Sequence, residues 1–106
     1  MRQQIAELLK MPSSGEEAPT LARLEDTLTE GYAEALALEA ERLRIERRLG
    51  EVARSAGNGS ANGVAQELTS LSRRLTTADG ELASLRTLLG SLRDRARATR
   101  GAGRTR

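Results

Sequence analysis

Apolar residues recur along this chain at alternating steps of three and four. From Leu21 the series continues through Leu24, Leu28, Gly31, Ala35, Leu38, Arg42, Ile45, Leu49, Val52 and Ala56. A second series runs through Val64, Leu68, Leu71, Leu75, Ala78, Leu82, Leu85, Leu89, Leu92 and Ala96. A spacing that averages 3.5 keeps one stripe of a helix facing a partner and favours left-handed supercoiling, whereas strands need a period of two. The pattern predicts two long amphipathic helices, at about 20–56 and 61–98. Leu21, Leu24, Leu28, Leu38, Ile45, Leu49 and Val52 of the first face Val64, Leu68, Leu71, Leu75, Leu82, Leu85, Leu89 and Leu92 of the second.

Between the two series lies Gly57-Asn58-Gly59-Ser60-Ala61-Asn62-Gly63. Such a run stops a helix, and a short connection between long helices favours an antiparallel hairpin. The predicted fold is therefore all-α: a long antiparallel two-helix coiled-coil hairpin with its turn at 57–63. Two registers compete. Placing Ala56 opposite Val64 sets Gly31 against Leu89 and Arg42 against Ala78, but brings Arg48 near Arg74 and Glu41 near Glu81. Sliding by one heptad brings Glu41 near Arg74, Arg48 near Glu67 and Glu25 near Arg86, at the expense of a longer connection. Exposed ion pairs contribute about 0–1 kcal/mol each, so packing and loop economy favour the first.

The ends differ from the middle. Residues 1–19 read as a short N-terminal amphipathic helix, at 3–11 with Ile5, Leu8 and Leu9 on one side, and a linker that opens with the breaker Pro12-Ser13-Ser14-Gly15. A helix so short is unstable alone and must dock. Ser14 with Glu17 fits a capping box, and Thr20 competes with it as N-cap of the first long helix. Residues 99–106 read as a flexible, disordered basic tail.

The seam does not account for all the apolar side chains. Leu36 and Leu43 lie a heptad apart off the first stripe, and Tyr32 and Leu88 flank it. Thin two-helix structures bury little surface, so these four residues predict a partner surface. The economical arrangement is a homodimer of hairpins forming a four-helix bundle. Another helical protein would cover the same strip.

Composition narrows the chemistry. The chain has 106 residues, no cysteine, no histidine and one aromatic residue, Tyr32. Thiol nucleophiles, histidine bases and the usual zinc and haem ligands are absent. The acids Glu39, Glu41, Glu46 and Glu51 read as a solvated helix face. No catalytic, cofactor or metal residue is predicted, and the chain is not expected to be an enzyme. No stretch is apolar enough to span a membrane and none matches a secretory signal, so the expected location is cytoplasmic.

Charge is uneven. Residues 93–106 carry Arg93, Arg95, Arg97, Arg100, Arg104 and Arg106 against Asp94 alone, while the rest of the chain is mildly acidic. Arginine-rich ends contact phosphate backbones without reading sequence, and with no aromatic residue interleaved there is no base stacking. These six arginines are the candidate polyanion-binding residues, for weak, salt-sensitive nucleic-acid contact.

Three functions are compatible with this reading. The first is a non-catalytic coiled-coil assembly or adaptor module that self-associates or binds a helical partner. The second is a nucleic-acid-associated protein acting through its arginines. In length and shape the hairpin also resembles the secreted WXG100-type helical proteins. That resemblance implies a small exported partner protein. Those proteins carry Trp-x-Gly in the turn, where this chain has Gly57-Asn58-Gly59 and no Trp.

Overall fold

The computed structural model describes residues 1–56 and 61–104, without the side chains of 61, 62, 103 and 104. It is all-α, with three helices and no strand among the described residues: α1 (Arg2–Lys10), α2 (Leu21–Ser55) and α3 (Ala61–Arg104). Two compact units make up the chain. One comprises Met1–Leu36 with Ala83–Arg106, the other Ala37–Leu82.

Helix α2 starts where a side chain can satisfy its free amides. The Thr20 hydroxyl oxygen accepts from the Arg23 N–H at 3.1 Å, a standard N-cap. The Ser14 capping box is not used. Residues 15–18 instead form a turn, in which the Ala18 N–H donates to the Gly15 carbonyl. Gly15 has φ +94°, a conformation that suits glycine. Helix α2 then runs without interruption through its glycines and threonines. The hydroxyls of Thr27 and Thr29 donate to the carbonyls of Arg23 and Glu25 one turn back.

In the first unit, Ile5 and Leu8 of α1 are buried with Leu24, Ala35, Leu85, Leu89, Leu92 and Ala96. Gly31 is buried too, and it is the point of close approach. A Cβ placed there would lie 2.4 Å from Leu89 Cδ2 and 3.5 Å from Ile5 Cδ1. The missing side chain at Gly31 lets the tip of Leu89 rest against the α2 backbone, with Ile5 of α1 beside it. The nine-residue α1 docks in this unit, as its length demands.

In the second unit, Ile45, Val52, Leu71 and Ala78 form a buried cluster, with Leu49, Val64, Leu68 and Leu75 packed on it. Ion pairs border it. Arg48 Nη2 lies 2.6 Å from Glu67 Oε1, Arg74 Nη2 3.0 Å from Glu41 Oε1, and Arg42 Nε 2.9 Å from Asp79 Oδ1. The expected repulsions of the first register are absent here, because Glu41 takes Arg74 and Arg48 takes Glu67. Yet Arg42 meets Asp79, beside the Ala78 that the first register sets opposite it. In the first unit Gly31 meets Leu89, a contact the first register sets, whereas the Glu41–Arg74 and Arg48–Glu67 pairs of the second unit are those the second register sets.

The C-terminal boundary needs correction. Residues 99–104, expected as disordered tail, continue α3 to Arg104. Polar contacts accompany this extension. Arg100 Nη2 lies 2.8 Å from Glu25 Oε1, and the Thr99 hydroxyl donates to the Arg95 carbonyl at 3.0 Å. Of the predicted turn, 61–63 belong to α3 and 57–60 lie outside the described residues.

Candidate interaction surface

Polar chemistry in this protein is concentrated in salt bridges and helix ends. No side-chain polar atom is buried without a partner among the described residues. No group of three acidic side chains is placed to hold a metal ion among them, and no described helix is long and apolar enough to cross a membrane.

The arginines of the C-terminal region divide by role. The Arg95 guanidinium is half-buried and donates to the carbonyls of Leu9, Met11 and Pro12. These carbonyls follow from the way α1 ends. The last turn of a helix leaves carbonyls without intrahelical donors, and Pro12, lacking an N–H, cannot continue the ladder. A cation at that end also meets the negative pole of the helix dipole. Arg95 therefore acts as a remote C-cap that fastens α1. Arg100 is engaged with Glu25, and Arg93 lies 3.8 Å from Asp94. Arg97 is exposed. The Arg104 side chain and Arg106 lie outside the described residues. The six arginines thus do not act as one set, since Arg95 and Arg100 have structural partners.

Replacing Arg95 by Ala is expected to fray α1, at a loss of about 1–3 kcal/mol from hydrogen bonds to a charged donor. Amide hydrogen exchange across residues 2–10 would quicken, while the amides of residues 64–82 keep their protection. Arg95→Lys would restore part of the effect, because an ammonium supplies the charge without the fork.

Two groups in the second unit have shifted ionisation. The hydrogen bonds from the Arg44 and Arg74 guanidinium groups hold the Glu41 carboxyl below its ordinary 4.5. The hydrogen bond to Glu67 raises Arg48 further above its already high value, with Glu51 adding to it. A depressed carboxyl pKa contributes stability above the unfolded value and loses it as pH falls through the folded one. Glu41 stays in reach of solvent, which screens its pairs, so the contribution is small. Between neutral pH and about pH 3, the urea midpoint of Glu41→Gln should fall less than that of the parent. Equal slopes would show that the Glu41 pairs do not matter.

The expected seam residues are buried or half-buried. Those off the seam are not: Tyr32 is 45% exposed, Leu36 66% and Leu43 51%. Leu88, the fourth residue of the expected partner surface, is half-buried in the first unit. Comparison with family models, with curated proteins and with solved structures returns no match. What the described residues define is an all-α chain with three helices and apolar side chains exposed on α2.

Proposed function

We propose that the chain is a non-catalytic interaction module built on an antiparallel coiled-coil hairpin of α2 and α3, which self-associates into a four-helix bundle. The observation that carries this reading is the exposure of Tyr32, Leu36 and Leu43, all on one helix whose other stripe is already buried. Large exposed apolar side chains grouped on one element mark a contact surface more often than chance scatter does. A helical partner protein would cover them by the same chemistry. Contact with nucleic acid has less to draw on, since Arg95 and Arg100 already have partners within the chain. The turn sequence gives a WXG100-like role no support.

Light scattering during size-exclusion chromatography tests the proposal. The parent chain should elute at twice its mass at high concentration. Leu36→Glu combined with Leu43→Glu should elute as a monomer with unchanged helical circular dichroism, because both side chains are exposed. A double variant that still dimerises contradicts the assignment of the surface.

A further inference from the structure

Helix α2 carries a second stripe opposite its buried one. Thr29, Ala33, Leu36, Ala40, Leu43 and Arg47 follow steps of four and three, and all six are exposed. At about 100° per residue they lie within a band about 80° wide, with Ala40 about 20° from its middle. Its middle is apolar, with the small Ala40 between two leucines.

The charges along the same helix are polarised. Residues 21–41 hold six acids and one base, and residues 42–55 hold five bases and two acids, or −5 against +3. A parallel copy laid on this stripe would set Arg47 beside Arg47. Several of these charges already pair within the chain, Glu25 with Arg100, Glu41 with Arg74, Arg42 with Asp79 and Arg48 with Glu67, but an antiparallel copy would still set the acidic half of each helix along the basic half of the other.

We infer that a second copy of this chain seats antiparallel on the outer stripe of α2, with Ala40 on the twofold axis. Leu36 then packs against Leu43 of the second copy, and Asp26 lies opposite Arg54 of the second copy. The contact is isologous, as a twofold requires. Paired alanines on the axis let the two helices approach closely, while the leucines on either side supply the apolar area. Asp26 and Arg54 are both exposed, so their pairing is screened by salt. The inference rests on the self-association proposed above and adds the orientation and centre of the contact.

A chain without cysteine permits a clean test by single-cysteine crosslinking. A disulfide needs Cα atoms within about 7 Å. Under mild oxidation, Ala40→Cys should convert to covalent dimer almost completely. Ala33→Cys should not, because in the antiparallel pair the two copies of residue 33 stand 14 positions apart, about 21 Å at 1.5 Å per residue. Adding high salt should slow the Ala40→Cys reaction several-fold.

Efficient crosslinking of both variants would mean a parallel pair and overturns the orientation. Crosslinking of neither, with the parent still dimeric by light scattering, would place the contact on another face. That overturns this inference and leaves self-association standing. A parent that is monomeric at every concentration removes both.

Discussion

Leu92→Ala is expected to lower stability by about 2–5 kcal/mol, the range for emptying a fully buried leucine site. Leu92 is wholly buried, as is Leu24. The loss joins the transfer of the removed carbons to the cost of a cavity that neighbouring helices only partly close. For a domain whose whole stability is about 5–15 kcal/mol, that is a large share. In a thermal melt followed by circular dichroism it corresponds to a fall of about 10 °C or more. Leu24→Ala should behave alike. Leu36→Ala is the control: its side chain is exposed on the single chain, and at concentrations low enough to keep the chain monomeric stability should change by no more than about 0.5 kcal/mol. Equal effects at Leu92 and Leu36 would mean that the buried seam does not govern stability.

Gly31→Leu should be damaging for the opposite reason. A Cβ alone would already press on Leu89 Cδ2 at 2.4 Å, with Leu89 Cγ and Ile5 Cδ1 each at 3.5 Å. Leu89 is itself buried, so its tip has little space to turn into, and a leucine at 31 brings three more carbons. Overpacking of this kind costs about 1–3 kcal/mol or more, against about 1 kcal/mol regained by replacing glycine inside a helix. The weakest neighbour should yield first. That neighbour is α1, only nine residues long and held by Ile5, Leu8 and Arg95. Hydrogen exchange should show residues 2–10 losing protection well before residues 37–55. With Gly31→Ala the helix gain and the displacement of Leu89 nearly cancel, and the net change should be close to zero.

The buried stripes were legible in the sequence because a helix converts spacing into a face. Leu24, Ile45, Val52, Leu71, Leu82, Leu85, Leu89 and Leu92 announce themselves at steps of three and four. The docking of α1 was legible as a necessity, since nine residues do not hold a helix alone. Its fastening was not. Arg95 binds backbone carbonyls of Leu9, Met11 and Pro12, and a carbonyl has no residue type to signal it. A helix end followed by proline gives only the hint that donors must come from elsewhere.

The extension of α3 to Arg104 was hidden for a related reason. Arg100 reads as part of a basic tail until Glu25 is placed beside it. The pairing of Arg48 with Glu67 and of Arg74 with Glu41 is legible in the charge pattern, and the contact of Gly31 with Leu89 in the pattern of small against large residues. The exposed residues were legible only as a remainder. Leu36 and Leu43 fall outside the seam, and their exposure gives that remainder a location on α2.

Sedimentation equilibrium of the parent chain over a wide range of concentrations tests the central proposal most directly. The chain mass is 11.4 kDa. Self-association through the outer stripe of α2 predicts an apparent mass that climbs with concentration and levels off at twice that value. An apparent mass that stays at 11.4 kDa up to the highest concentration, with helicity intact, would contradict it.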